Sequence, residues 1–551
     1  MTKFILLFTF SILSFSGFIF GQTPNWNWVK KSGGTAQDYG RAVTSDASGN
    51  VYVTGSFYSA SMSFSTTSLT NKDNTGTSPD VFVVKYDPSG NVLWAKSAGG
   101  TSYDEGESIN VDANGNVFVT GYFLSSTINF SGTILNNTGD DDLFVAKYDL
   151  NGILQWVKSA SGSSTEKNAS INIDAFGDII VTGRFDSPTI NFSGTTLTNT
   201  SSSLNSDFYI VKYNQAGNIV WAKNNGGAYD DVSASITTDI SGNIYITGNF
   251  ESPSIALGST TLTVSGTSDI FIVKYDVNGN VGWAKREGGT SDDFGCGIST
   301  DANNNIIVTG YFFSPTINFG TGNLTKQGTY NTFLVKYSSS GVALWATNQK
   351  SKYTNKSYGV STDANDNIYI TGDYYSGNVY FGTDSLTNVG QNDIYVAKYD
   401  GSGNFIWAKG AGGLTADYGY AINAQSNGNV YVTGMFTSVT INFDTFTFNT
   451  TGNADVFVGK IGNSIIGIQE INSTHNIINV YPNPSNSHFR VNNLLNTTQI
   501  QIFNINGELI YNSICKQDYL NIDLSNQAKG IYFLKITDEN FKIKQAKLVL
   551  Q

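Results

Sequence analysis

Between residues 22 and 461 the chain has no histidine, since His475 and His488 both come later. Imidazole-activated serine or cysteine nucleophiles and histidine-ligated zinc or iron are therefore absent from this stretch. Arginine is scarce there too, present only as Arg41, Arg184 and Arg286 at no common spacing. Carboxylates remain in number, and they fall into two patterns. The first is a turn, Asp46-x-x-Gly49-Asn50, matched at Asp112, Asp174, Asp239, Asp301 and Asp363 and broken at Ala424. Oxygen ligands at alternate positions, as in Asp112-x-Asn114-x-Asn116, are what a calcium loop supplies, but Phe123 stands where such a loop needs its Glu. Asx side chains that cap a tight turn account for the same residues, so turn chemistry is the expectation and calcium the alternative.

The second pattern lies in loops that begin Gly33-Gly34 and Gly99-Gly100 and end at Asp38 and at Asp104-Glu105. Asp230, Asp231, Asp292, Asp293 and Asp417 hold equivalent places, with Tyr39, Tyr103, Tyr229, Phe294 and Tyr418 nearby. The sixth such loop departs from the pattern, carrying Lys350, Lys352 and Lys356 beside Tyr353 and Tyr358, and the third departs with Glu166 and Lys167. Positions repeated in every copy are read as scaffold, and departures on a shared rim as the place for a ligand. Rim acids Asp38, Asp104, Glu105, Asp230, Asp231, Asp292, Asp293 and Asp417, with Lys350, Lys352, Lys356 and Tyr353, are accordingly the candidate ligand-binding set. Paired carboxylates of this kind are also what polysaccharide hydrolysis needs.

What must position these loops is a repeat. Trp28, Trp94, Trp156, Trp221, Trp283, Trp345 and Trp407 recur at intervals of 66, 62, 65, 62, 62 and 62 residues, and Thr-Gly pairs from Thr54-Gly55 to Thr433-Gly434 keep the same intervals. A Lys at 85, 147, 212, 274, 336, 398 and 460 is the third mark in register. Each unit alternates apolar and polar residues in short runs broken by Asx-Gly turns, which predicts four antiparallel strands, with a small extra hairpin around Thr127-Ile128-Asn129-Phe130. The series opens on a lone fourth strand, Trp26-Asn27-Trp28-Val29-Lys30, and stops after a third strand ending at Lys460. The opening piece supplies what the last unit lacks. An all-β, seven-bladed propeller over residues 22–461, closed by that pairing, is the predicted architecture, because closure removes the sheet edges that an open stack would expose. The recurrent Trp residues are expected to pack between blades, and Trp26 alone stands outside their register.

The Gly-Asn-Val-Tyr-Val-Thr-Gly run at 49–55, the Asp-x-Phe-x-Val-Lys-Tyr run at 80–86 and the Trp that follows resemble the bacterial β-propeller repeat of extracellular proteins (SBBP-like). That resemblance implies a fold and leaves the function open. Composition agrees with it: aromatics are 13% of the chain, charged residues only 13%, and there are 58 glycines. Residues 22–461 carry 23 basic against 37 acidic groups, a net −14, which argues against nucleic acid as a partner. Cys296 and Cys515 fall in different domains and provide no disulfide framework.

Both ends read as export signals. Lys3 followed by an uncharged apolar run from Phe4 to Phe20 predicts a signal peptide over 1–21, and no other run suits a membrane span. After a linker (462–479), residues 480–551 alternate in short strands that predict a small β-sandwich. Tyr481-Pro482-Asn483-Pro484, the Asn-x-x-Gly turn at Gly507, the strand from Gly530 and the terminal Lys547-Leu548-Val549 resemble the type A C-terminal sorting domain of type IX secretion. The resemblance implies the type IX machinery as a partner, removal of the tail, and a secreted or outer-membrane-attached product. The expected function is recognition or adhesion through a propeller rim, with an unknown glycan or protein as ligand and no catalysis. An extracellular polysaccharide hydrolase or lyase using rim carboxylates, and a structural surface-layer component, are the alternatives.

Overall fold

The computed structural model describes residues 23–201, 204–375, 377–382, 384–462, 479–492, 494, 498–504, 508–537 and 543–551. The expected signal peptide, residues 463–478 of the linker, and Gly507 lie outside them. The chain divides into two compact units, Met1–Asn463 and Ser464–Gln551. Among the described residues both are built from strands alone.

The first unit contains seven antiparallel sheets of one plan. In the first, the strands run from the inner Asp38–Ser45 through Val51–Phe57 and Asp80–Tyr86 to the outer Val92–Ala98. The second is extended by an outer hairpin of its neighbour, Thr189–Phe192 with Thr195–Thr198. The seventh takes its outer strand from the start of the chain. Trp26–Ser32 pairs antiparallel with Asp455–Ile461, setting Trp28 opposite Lys460 and Val29 opposite Gly459.

Second and third strands are buried on both faces, as Val51–Phe57 and Asp80–Tyr86 show at every residue. The apolar cores accordingly lie between sheets. One joins Val43, Val51 and Phe82 of the first sheet to Tyr431, Val456 and Val458 of the seventh. Inner strands pack on inner strands from each sheet to the next, and that of the seventh packs on that of the first.

The three sequence marks have separate physical causes. Thr54 donates its hydroxyl to the Phe82 carbonyl at 2.8 Å, and Thr120, Thr182, Thr247, Thr309, Thr371 and Thr433 do the same in their sheets. Gly55 lets the inner strand approach, since a Cβ there would stand 1.8 Å from the Tyr39 carbonyl oxygen. The Trp stitches sheets together. Trp28, Trp94, Trp156, Trp221, Trp283 and Trp345 donate Nε1–H at 3.1–3.2 Å to carbonyls in the outer turn of the following sheet, Pro88, Leu150, Gln215, Val277, Ser339 and Gly401. Trp407 faces the seventh sheet, whose outer strand arrives from the other end of the chain and brings no such turn. Lys85 sets its ammonium 5.1 Å from the Tyr52 ring.

The second unit has a three-stranded sheet (479–481, 488–492, 519–523) and a four-stranded one (509–515, 498–503, 530–537, 543–550). They share a core that includes Phe489, Val491, Ile500, Ile502, Leu534 and Leu548. Asn483 ties the opening motif to the last strand: its Nδ2 donates to the Lys547 carbonyl at 2.5 Å, and its Oδ1 accepts from the Val549 amide at 2.9 Å.

Candidate functional site

The repeated acids are structural. Asp38, Asp104, Asp231, Asp293 and Asp417 open the inner strands and are fully buried. Asp104 shows the arrangement: Oδ2 accepts from the Gly100 amide at 2.6 Å and the Ser125 hydroxyl at 2.8 Å, and Oδ1 faces the Ser125 amide at 3.3 Å. Ser59, Ser252, Ser314 and Ser438 serve the other four in the same way. The expectation of a solvent-facing acidic rim at these positions is thereby corrected. Desolvation raises their carboxyls, Asp38, Asp231 and Asp417 to about 6 and Asp104 to about 8. Glu166, the counterpart in the third sheet, is buried and raised to about 8 by the same cause. Asp230 and Asp292 are half-buried in their loops, where Asp230 accepts from the Ser206 amide at 2.8 Å and Asp292 from Thr267.

The turn acids also have their oxygens engaged. Asp112 Oδ1 accepts from the amides of Asn114 and Asn116, and Oδ2 from the Asn116 side chain at 2.7 Å. Asp46, Asp174, Asp239, Asp301 and Asp363 accept the matching pair of turn amides. Asp174 and Asp301 also hold the ammonium groups of Lys212 and Lys336, each at 2.7 Å. The seventh turn is capped by Gln425, whose carbonyl accepts from Gly428, so the equivalent position is one residue beyond Ala424. Asx turn chemistry uses these oxygens fully. Among the described residues no group of three or more His, Cys, Asp or Glu is placed to hold a metal.

A different set of residues converges. Every inner strand slips register by one residue against its neighbour, leaving Arg41, Glu107, Ala169, Ala234, Cys296, Tyr358 and Tyr420 out of the pairing. A bulge of this kind re-aims the residue it leaves unpaired. Because inner strands pack side by side, some bulge residues of neighbouring sheets meet. Tyr358 and Tyr420 are edge to face with centroids 5.8 Å apart, and Tyr418 stacks on Tyr420 at 5.8 Å. The Arg41 guanidinium lies 5.4 Å from the Tyr420 ring and 5.1 Å from Tyr39, and bonds Glu105 at 3.3 Å. Glu107 is half-buried beside this pair; desolvation pushes its carboxyl up to about 7 while Arg41 pulls against it.

The same surface continues over the fifth and sixth sheets. The Lys356 ammonium stands 4.9 Å from the Tyr311 ring and 5.1 Å from Tyr330, and Phe294 stacks on Tyr311 at 5.1 Å. Cys296 is its neighbour, with its thiol pushed up to about 12 by burial. Toward the third sheet, Lys167 bridges Asp141 at 3.5 Å and covers the Tyr122 ring at 4.4 Å. Aromatic faces and partly shielded cations suit stacking and hydrogen-bonded recognition.

Of the predicted ligand set, Lys356 and Glu105 belong to this surface. Lys350 pairs with Tyr380 in a small outer sheet, and Lys352 lies over the exposed Tyr353, whose carbonyl accepts from the Thr329 amide at 2.9 Å beside Tyr330. Arg41, Glu107, Tyr122, Tyr311, Tyr330 and Tyr420 were missed. For Arg41, Glu107 and Tyr420 a signal was present in the repeat: the position three after the buried Asp, Glu or Asn is Arg, Glu, Ala, Ala, Cys, Tyr and Tyr in turn, while the residues on either side of it are small in six of the seven units.

Residues 479–551 match the family described as the secretion system C-terminal sorting domain. Over 512 aligned residues the chain is 27% identical to an uncharacterized WD repeat-containing protein of Acanthamoeba polyphaga mimivirus, covering 76% of this chain and 36% of that protein. It is 25% identical over 142 residues to the regulatory protein FlaEY of Caulobacter vibrioides, covering 26% of this chain and 15% of that one. The chain thus spans about a third or less of the length of these relatives. Among solved structures, PorZ, a surface component of the type IX secretion system of Porphyromonas gingivalis, aligns over 95% of this chain and 100% of its own at 9% identity and a TM-score of 0.23. The Synechocystis apocarotenoid oxygenase aligns over 77% and 94% at 9% identity and a TM-score of 0.36. Scores this low carry no functional information. Residues 479–551 are a type IX secretion sorting domain, and the all-β, propeller-like protein that bears them is secreted or held at the cell surface.

Proposed function

We propose that this exported protein is a recognition module, a seven-bladed propeller closed by its first strand, that binds a glycan or protein ligand on the surface formed by its inner-strand bulges. The carrying observation is the contrast within the repeat: the Thr-Gly, Trp and Lys marks are kept in every unit, whereas the bulge residues differ from sheet to sheet, and Tyr358, Tyr420 and Arg41 among them lie with neighbouring aromatic rings and Lys356 on one surface. Closure is supported by the pairing of Trp26–Ser32 with Asp455–Ile461 and by the core shared between the seventh and first sheets.

Glycan and protein arrays probed with the intact protein test the reading. Binding is expected, and Tyr420→Ala together with Lys356→Ala is expected to weaken it at least about tenfold, the scale of losing a stacking contact and a charged contact. Absence of binding on both arrays would reject it. One observation favours hydrolysis or lyase chemistry instead: Glu107, raised to about 7 next to Glu105, is a carboxyl able to donate a proton near neutral pH. That reading requires turnover of a polysaccharide that Glu107→Gln abolishes.

A further inference from the structure

Six of the seams between neighbouring sheets contain a second buried acid besides the residue that opens the inner strand. These are Asp80, Asp142, Asp207, Asp269, Asp393 and Asp455, at the start of the third strands. The two carboxyls of a seam lie on either side of the glycine-containing loop that links the sheets. At the last seam the amide of Gly413 serves both Asp393 and Asp417, and at the second the amide of Gly162 serves both Asp142 and Glu166. At the first seam, Asp104 accepts from Gly100, while a Cβ on Gly99 would overlap the Asp80 carboxyl.

Two buried carboxylates this close repel one another and lose hydration, so something must offset the second charge. At two seams the chain provides a cation: Lys31 bonds Asp455 at 3.0 Å and Arg286 bonds Asp269 at 2.7 Å. At a third, Asp207 accepts from Thr200 through both oxygens and from Asn224. At the sixth sheet both acids are replaced by amides, and Asn331 Nδ2 donates directly to Asn355 Oδ1 at 3.0 Å. The remaining seams have no such ion pair among the described residues, and at one of them Asp142 accepts from the Thr138 hydroxyl at 3.5 Å. In them Asp80, Asp142 and Asp393 each keep Oδ1 buried without a partner, as Asp269 does beside Arg286.

We propose that the pairs Asp80–Asp104, Asp142–Glu166 and Asp393–Asp417 are proton-binding sites, each holding one proton between two carboxyl groups. The orphaned Oδ1, buried and without a partner, is where the proton sits, and at the seam between the fifth and sixth sheets the Asn331 amide stands in the matching place. The raised carboxyls agree: desolvation lifts Asp80 and Asp393 to about 7 and Asp142 to about 6, with the partner acid adding to the rise of Asp393. The Asp393–Asp417 seam is the simplest, with amides of Val389, Gly413, Thr437 and Ser438 and the Ser438 hydroxyl around it, and with Tyr374 near Asp393 and Tyr418 near Asp417 as titratable neighbours. Asp80 also faces Lys72 and Asp73, Asp142 faces Asp141, and Glu166 faces Asp186.

A carboxyl raised in the folded state stabilises fully below its unfolded value, and that stability is lost as pH rises through the folded value. The folding constant should therefore fall with rising pH between about 4 and 7, by up to about tenfold per pH unit for each proton held. The test is the thermal midpoint of the intact protein at about pH 5 and about pH 8 in metal-free buffer, for the native chain and for Asp393→Asn, with Asp80→Asn as an independent seam. The amide is uncharged at every pH, as the carboxyl is only in acid. Each variant should match the native midpoint near pH 5, exceed it near pH 8, and show a smaller difference between the two. A native midpoint that does not fall with pH, or variants destabilised equally at both, would overturn the proposal. So would added calcium chloride restoring the native midpoint at about pH 8 and not that of the variants, since the offset would then be a metal.

Discussion

At the scale of single residues, uniformity along the repeat marks positions that backbone geometry fixes. Asp112 is such a position, its two oxygens filled by one turn. Asp112→Ala is expected to cost about 1–3 kcal/mol, the range for stranding buried amides, and a chelator should leave the native melting temperature unchanged. A chelator-induced drop would restore the calcium reading. Gly55 is fixed by proximity. Adding a methyl 1.8 Å from the Tyr39 carbonyl forces the inner strand outward, and Gly55→Ala should lower the denaturation midpoint by at least the roughly 1–3 kcal/mol of an overpacked core. Both positions stood out in the sequence as repeated types. That the repeated Asp104 and its counterparts are buried did not, because an acid beside Gly and Ser reads as a solvated loop until Ser125 and Gly100 are seen to fill its valences.

At the scale of elements, the strand Trp26–Ser32 is the piece whose partner is most distant in the chain. Its anchor is Trp26, 3% exposed, edge to face with Phe443 at 5.1 Å and lying over Gly459. Other sheets carry Val or Ala where Gly459 stands, as at Val84, Ala146, Val211, Val273, Val335 and Ala397. Only glycine leaves room, since a Cβ on Gly459 would come 2.4 Å from the indole. Trp26→Ala should cost about 3–5 kcal/mol as a vacated core site. Gly459→Ala should destabilise the native chain by about 1–3 kcal/mol and have little effect in the Trp26→Ala background. Equal losses in both backgrounds would show that the two do not pack. The sequence placed Trp26 outside the common register, and the reason is legible only once the strand is seen paired with Asp455–Ile461.

For the whole molecule, residues 479–551 match a secretion sorting domain, and the seven sheets lie in the unit that precedes it. A chain truncated after Gly462 is expected to fold but stay inside the cell, as fractionation and immunoblotting would show; export without the tail would contradict a sorting role. Strand order, the four-strand unit, the pairing of the first strand with the last sheet and the export tail were all determined by the sequence itself. They follow from local periodicity and turn chemistry, which repetition writes down seven times over. Two things were decided only in three dimensions. The repeat shows a variable position, but only the pairing of adjacent strands shows the one-residue slip that turns Arg41, Glu107, Tyr358 and Tyr420 out of their ladders and toward one another. The meeting of Asp393 with Asp417, and of Asp80 with Asp104, depends likewise on how one sheet packs on the next. Residues 24 apart in the chain carry no local record that their carboxyls will share a seam.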